Sequence, residues 1–91
     1  GVYASQSTVD GKIYPSVTNF GCHPTIGGDK VLSETCILGF DGNLYYRKIK
    51  VELLDFIRAE KKFNSKDELK AQIDYDSKQA IKIFDSINNN N

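Results

Sequence analysis

The sequence pattern draws attention to four side chains that could bind a metal or act in catalysis: Cys22, His23, Glu34 and Cys36. Zinc sites usually bring cysteines in close pairs such as C-x-x-C. The three candidate zinc ligands, Cys22, His23 and Cys36, do not match that spacing. The stretch "NFGCHPTIGG" over residues 19–28 also lacks the lysine and the following helix of a phosphate-binding loop. Local chemistry therefore predicts a bend, in which Gly27-Gly28 makes the turn before the next strand. His23 is interpreted as a surface or packing residue, with a position in a pocket left open.

Glu34 is the unusual residue of the segment "VLSETCILGF". Alternation along a strand places Glu34 with Leu32, Cys36, Leu38 and Phe40 on the more apolar face, where an ionised carboxylate is costly without partners. One interpretation is a structural ion pair or an edge strand with both faces in water. The other is a partly desolvated carboxylate at the mouth of a small barrel, acting as a general base. The pattern alone leaves both open.

The first half of the chain has the pattern of strands joined by short turns. Asp10-Gly11 and Asp41-Gly42 are hairpin signals, and each separates two strand-like runs. We expect an antiparallel sheet that forms part of a small β-barrel. Pro15 has no amide hydrogen for a sheet ladder, so its strand is predicted to lie at an edge or to be bulged.

The last third has helical periodicity. Ser65 and Glu68 form a capping box, and apolar residues then recur on one face of a helix predicted over 65–87. The apolar positions are Leu69, Ile73, Ala80, Ile83, Phe84 and Ile87. We expect this amphipathic helix to close over the sheet, giving one mostly β domain with a C-terminal helix.

Composition restricts the classes of function. Twelve basic residues balance twelve acidic ones, which disfavours a nucleic-acid or anionic-membrane partner. No apolar run is long enough to span a membrane, and two cysteines are few for a disulfide scaffold of 91 residues. We therefore expect reduced cysteines and a cytoplasmic location.

Several ordered blocks resemble the bacterial riboflavin kinase module. "NFGCHPTIGG" is similar to its "N-I-G-x-R-P-T-F-G-G" segment, and "SETCILGFDGNLY" to "I-E-T-H-I-L-D-F-D-G-D-L-Y-G". "VELLDFIRAEKKFNSKDELKAQIDYD" is similar to "V-E-F-x-x-x-I-R-x-E-K-K-F-x-S-x-x-E-L-K-x-Q-I-x-x-D". "GVYA" and "DGKIYPSVTNFG" resemble two further segments, so the resemblance covers nearly the whole chain.

The resemblance implies transfer of the ATP γ-phosphoryl group to the 5′-hydroxyl of riboflavin, which gives FMN. Glu34 matches the family's general base. Leu44 and Tyr45 match a flap over the ligands, and Arg58 matches a residue beside the flavin or the phosphates. The alternative for Arg58 is an ion pair with Glu60 or Asp55. Phe63 is interpreted as a core anchor. Riboflavin and ATP are the implied substrates, and Mg²⁺ is implied to bind with ATP.

The chain departs from the family pattern at residues that bear on ligand contacts: Phe20, His23, Cys36, Gly39 and Tyr46. It also begins after the family's Pro-Thr-Ala-Asn segment, which helps hold the metal and the ATP phosphates. We therefore expect residues 1–91 to be a partial riboflavin kinase domain without the adenylyltransferase domain that makes FAD. We expect these residues alone to have little or no kinase activity, and exposed strand edges to allow self-association.

Two other classes remain as alternatives. One is a small non-catalytic barrel that binds a ligand or a protein partner. The other, an oligonucleotide-binding barrel, is disfavoured by the zero net charge and by the lack of clustered basic and aromatic residues on one strand face.

Overall fold

The computed structural model describes residues 1–44 and 47–89, and in those ranges all side chains except those of residues 22–25 and 29. Four antiparallel strands precede one helix. They are β1 (Val2–Val9), β2 (Lys12–Thr25), β3 (Gly28–Ile37), β4 (Ile49–Arg58) and α1 (Lys66–Asn88). The strands form one sheet in the order β3-β2-β1-β4. The mostly β fold with a C-terminal helix is thus confirmed, and the sheet is open in the described part of the chain.

The first hairpin follows from its turn residues. Asp10 and Gly11 both have positive φ, of 52° and 82°, as a two-residue type I′ turn requires. The strands pair directly beside the turn, with Val9 opposite Lys12. The predicted hairpin is therefore confirmed.

The stretch predicted to bend is mostly strand. β2 continues to Thr25 and pairs with β3 from Asn19 opposite Glu34 to Thr25 opposite Gly28. The prediction of a bend over residues 19–25 was wrong, because the ladder with β3 satisfies the backbone of this segment in an extended conformation. The turn prediction is confirmed at Gly27, whose φ is 95°, whereas Gly28, with a φ of 151°, is the first residue of β3. The side chains of Cys22 and His23, and any pocket contact of His23, lie outside the described residues.

The predicted hairpin at Asp41-Gly42 was wrong. β3 and β4 lie at opposite edges of the sheet, because β4 pairs with β1 instead. A two-residue turn signal reports local geometry only, and the pairing of β4 with β1 is set by contacts distant in sequence.

Pro15 was predicted at an edge or a bulge, and it lies instead in β2, an interior strand without a bulge. Its carbonyl accepts a 2.9 Å hydrogen bond from the Leu38 amide, on the side of β3. β3 ends at Ile37, so the missing amide hydrogen of Pro15 faces the point where the ladder with β3 stops. An interior strand therefore tolerates proline at this position.

One face of the sheet carries a chain of buried hydroxyl groups. Ser7 Oγ donates to Ser16 Oγ over 2.8 Å, and Ser16 Oγ lies 2.7 Å from Ser5 Oγ. Thr18 Oγ1 then joins Ser5 at 2.9 Å and Thr35 at 2.9 Å. The four members on β1 and β2 are at most 2% exposed. Paired hydroxyls are compatible with burial because each supplies a partner for the next.

Helix α1 covers the opposite face, on which Val2 and Ala4 are buried. Ser65 Oγ accepts from the Glu68 amide at 3.1 Å, and Glu68 Oε2 accepts from the Asn64 amide at 3.0 Å. The predicted cap is thus confirmed, and the helix begins one residue later than predicted. Of the predicted apolar face only Ala80 is fully buried. No helix in the described ranges is both long and apolar enough to cross a membrane.

Candidate functional site

A cleft of about 570 Å³ lies between the sheet and the first half of α1. Its floor comes from β1, β2 and β3, one wall from the end of β4 and residues 60–63, and its roof from α1. Ligand sites commonly have volumes of about 300 to 1,000 Å³ and carry a few converging polar groups. Apolar side chains from both layers line it beside charged ones, and the apolar set is Val2, Val17, Phe63, Leu69 and Ile73.

Glu34 lines this cleft from the middle of β3. It lies opposite Asn19 in the register of β2 and β3, so the two residues are on the same face of the sheet. Strand alternation correctly placed Glu34 towards the cleft. Of the two interpretations of Glu34, the edge strand in contact with water is confirmed and the partly desolvated carboxylate was wrong, because β3 is an edge strand and Glu34 is exposed. An open carboxylate here can accept a proton from a ligand hydroxyl and release it to solvent.

Asn19 is a polar residue of the cleft floor that the sequence had suggested only as part of a bend. Its Oδ1 is buried and accepts no hydrogen bond from the described residues. A buried acceptor without a partner is unfavourable, so such groups often lie where a ligand or water completes the site.

Arg58 ends β4 and extends its guanidinium along the cleft. Its Nε donates to both carboxylate oxygens of Asp76, at 3.0 and 3.1 Å, and Nη2 donates to Oδ2 at 2.9 Å. Nη1 donates to the Ala59 carbonyl at 3.1 Å. The ion pair predicted as the alternative for Arg58 therefore exists, but its partner is Asp76 rather than Glu60 or Asp55.

Asp76 is 3% exposed and lies in the middle of α1. Besides the pair with Arg58, its Oδ1 accepts from Gln72 Nε2 at 3.0 Å, one helical turn earlier. Sequence reasoning missed this residue. The available signal was its spacing, three residues after Ile73 and four before Ala80, which places an acid on the apolar face of the helix.

Phe63 lies beneath two cations at the edge of the cleft. Its ring centroid is 5.7 Å from Arg58 Cζ and 5.6 Å from Lys61 Nζ, distances at which a ring face attracts a cation. Phe63 is half-buried, so it supports the Arg58 guanidinium on one side. The prediction of a core anchor thus describes only part of its contacts.

The structure does not bring every predicted site residue to the cleft. Leu44 lies between β3 and β4 and is not among the cleft-lining residues, and Tyr45 lies outside the described residues. Cys36 carries a free, exposed thiol and lines the cleft two residues after Glu34. Among the described side chains, no three histidine, cysteine, aspartate or glutamate residues lie close enough together to hold a metal ion.

A second groove of about 510 Å³ lies between β4 and the later turns of α1. Its charged residues are Asp55 and Lys82, beside aromatic and aliphatic side chains. The only hydrogen bond found for the Asp55 carboxylate within the described chain is from the next amide in the chain, at 2.9 Å. The groove also contains the polar side chains of Tyr75, Gln79 and Ser86, but among the described residues it has no counterpart of the Arg58–Asp76 ion pair of the first cleft.

The fold and the cleft define a class of domain: an antiparallel sheet covered on one face by a C-terminal helix, with a charged cleft between the two layers. Comparison with known proteins identifies the family. Residues 1–84 match the flavokinase (riboflavin kinase) family model, so the chain belongs to the riboflavin kinase family.

Individual relatives agree with this assignment. The chain is 42% identical over 85 residues to the bifunctional riboflavin kinase/FMN adenylyltransferase of Escherichia coli K12, and 36% identical over 90 residues to that of Bacillus subtilis. These matches cover 92% and 96% of this chain and 27% and 28% of the two relatives. The chain thus spans about a quarter of the length of either relative.

A solved structure supports the fold. The crystal structure of a macrolide-efflux protein from Streptococcus pneumoniae superposes with a TM-score of 0.78 and 29% sequence identity. The superposition covers 86% of this chain and 26% of that one.

Proposed function

We propose that the cleft between the sheet and α1 is the site at which a flavokinase transfers the γ-phosphoryl group of ATP to the 5′-hydroxyl of riboflavin. One observation carries this proposal: in a chain of the riboflavin kinase family, Glu34 and the Arg58 guanidinium line the same cleft. A proton acceptor and a set of fixed hydrogen-bond donors are the two kinds of group that this reaction uses.

Glu34 is proposed as the general base. As the ribityl oxygen forms its bond to the γ-phosphorus, its O–H proton passes to the Glu34 carboxylate. The bond between the γ-phosphorus and the bridging oxygen breaks, and ADP leaves with that electron pair. General-base assistance of this kind contributes about 10²- to 10⁴-fold in rate. Because Glu34 is exposed, the proton can then pass to solvent.

Arg58 is proposed to hold a ligand oxygen. Three of its five N–H groups can be assigned to Asp76 and Ala59, leaving one N–H on each terminal nitrogen. Two donors on a planar group suit a phosphate oxygen or a flavin carbonyl. Contact with the Phe63 ring keeps the guanidinium plane in one orientation, so the two donors are already in place when a ligand binds.

Magnesium is proposed to arrive with ATP and to be held chiefly by its phosphates and water, as Mg²⁺ usually is at phosphoryl-transfer sites. The described residues do not fit a metal site by themselves, because they contain no three-ligand group. The steps proposed here for Glu34 and Arg58 therefore assign no metal ligand to either residue.

The expectations about cellular location, FAD formation, the flap and self-association concern the whole protein. We propose that it acts in the cytoplasm, and that it also converts FMN to FAD, as the names of the relatives suggest for those proteins. Leu44 and Tyr45 are proposed as parts of a flap that covers the bound ligands. Self-association through the free edges of β3 and β4 is a further proposal, supported by the position of both strands at the ends of the sheet.

Glu34→Gln in the full-length protein tests the assignment of the base. We expect FMN formation to fall by about 10²-fold or more while riboflavin still binds, because glutamine keeps the shape of glutamate and cannot accept the proton. Glu52→Gln is the matched control: Glu52 is exposed on β4 outside the cleft, where it accepts from Gln6 at 3.3 Å.

A normal rate of FMN formation by Glu34→Gln would contradict the base assignment. If the unmodified protein bound riboflavin and formed no FMN with ATP and Mg²⁺, the alternative of a non-catalytic ligand-binding module would replace the kinase proposal.

A further inference from the structure

We infer that Asp76 is a positioning residue: it fixes the Arg58 guanidinium in one orientation, so that the two remaining N–H donors of Arg58 face the cleft. This inference rests on the proposed function of the cleft. It adds a residue on α1 that acts on the ligand through Arg58.

The first support is the completeness of the contact. Both oxygens of Asp76 bond to Arg58, which fixes the guanidinium in two directions rather than one. Gln72 donates to the same carboxylate from one turn earlier on α1, so the carboxylate is itself held in place. Asp76 is 5% exposed and Arg58 21% exposed by side chain, which limits competition from water.

The second support is the cost of this arrangement. A carboxylate buried between a helix and a sheet must lose its hydration, and a buried ion pair often contributes less to stability than a well-packed apolar pair would. Packing alone would therefore be satisfied by apolar residues at both position 58 and position 76. The presence of the charged pair is explained by the donors that Arg58 offers to the cleft and not by stability alone.

The third support is the asymmetry of the Arg58 contacts. Asp76 occupies the side of the guanidinium formed by Nε and Nη2, and the Ala59 carbonyl accepts from Nη1. The Phe63 ring lies 5.7 Å from Cζ. The free donors therefore have a fixed direction, and Arg58 lines the cleft together with Glu34. A ligand oxygen held by these donors is the group whose position Asp76 controls.

Asp76→Asn in the full-length protein is the test. Asparagine has nearly the same shape, but it loses the charge and replaces one acceptor with a donor that opposes the Arg58 N–H groups. We expect kcat/KM for FMN formation to fall by about 10- to 100-fold, the range expected when a ligand-holding group is displaced by about 1 Å. The KM that rises, for riboflavin or for ATP, identifies whether the donors hold a flavin carbonyl or a phosphate oxygen.

Two comparisons separate positioning from a structural role. Asp74→Asn, two residues away on the same helix, removes an exposed carboxylate that pairs with Lys78, and it should leave kcat/KM unchanged. Arg58→Lys keeps the charge and removes the planar set of donors. In that background Asp76→Asn should have less than about threefold further effect, because residues that act through one another are non-additive.

Wild-type kinetics for Asp76→Asn would overturn the inference, and so would an equal loss of kcat/KM in the Arg58→Lys background. Circular dichroism and the unfolding temperature check that each variant is folded. If Asp76→Asn does not fold, Asp76→Glu replaces it: the longer side chain keeps the charge but moves the carboxylate and the guanidinium it holds, so kcat/KM should still fall by about tenfold, and wild-type kinetics would again overturn the inference. Failure of the unmodified protein to form FMN would instead overturn the proposed function, and this inference with it.

Discussion

Replacing Ser16 by alanine tests whether the buried hydroxyl chain stabilises the sheet. Ser16 is fully buried and is the junction of the chain, since Ser7 donates to it at 2.8 Å and Ser5 lies 2.7 Å away. Alanine removes both contacts and leaves the Ser7 hydroxyl without an acceptor among the described residues. Ser5 is less affected because it retains Thr18 at 2.9 Å.

The magnitude follows from these contacts. A buried donor left without a partner costs about 1 to 3 kcal/mol, and a typical net hydrogen bond contributes about 0.5 to 1.5 kcal/mol. Ser16→Ala leaves the Ser7 donor without a partner and removes one of the two contacts of Ser5. We therefore expect a loss of about 2 kcal/mol in the free energy of unfolding. Ser33→Ala is the matched control: Ser33 is exposed on β3, so its change should stay within about 0.5 kcal/mol.

Urea unfolding of the 91-residue chain, followed by the helical circular dichroism signal, measures these differences. A double-mutant cycle makes the test specific. In the Ser7→Ala background, Ser16→Ala no longer leaves a buried donor without an acceptor, so the loss of unfolding free energy it causes should be smaller by about 1 kcal/mol. Strictly additive effects of the two substitutions, or a Ser16→Ala cost no larger than that of Ser33→Ala, would refute the hydroxyl chain as a stabilising network.

Two further predictions concern the first hairpin and the cleft. Gly11→Ala should destabilise the chain by about 1 to 2 kcal/mol, because φ is 82° there while an added Cβ meets no atom within 4 Å, and Gly11→Asn should restore part of the loss. Equal unfolding free energies for Gly11→Ala and the unmodified chain would contradict this account. In a Cys22→Ser background, riboflavin or ATP at ten times its Kd should slow modification of Cys36 by a thiol reagent about tenfold, since only the unliganded fraction reacts. An unchanged rate with both ligands bound would place the ligands outside the cleft.

Signals carried by neighbouring residues predicted their part of the fold well. Asp10-Gly11 gave the first hairpin because both positive φ angles are properties of the turn itself. Ser65 and Glu68 gave the helix start because both cap bonds lie within one turn. The same kind of signal failed at Asp41-Gly42, because the following strand pairs with β1, from Val9 opposite Ile49 to Val2 opposite Arg58, which are distant in sequence.

Glu34 and Asp76 show why the site was harder to predict than the fold. Both are acids at positions whose periodicity places them on an apolar face, and both line the same cleft. Periodicity gives the direction of a side chain, so it predicts that both face the cleft. It does not give solvent access: Asp76 lies on the side of α1 that contacts Arg58 and is buried there, whereas Glu34 lies on an edge strand and remains exposed. The different environments suit the two roles proposed here, since a base that exchanges protons benefits from water and a carboxylate that holds an arginine benefits from its exclusion.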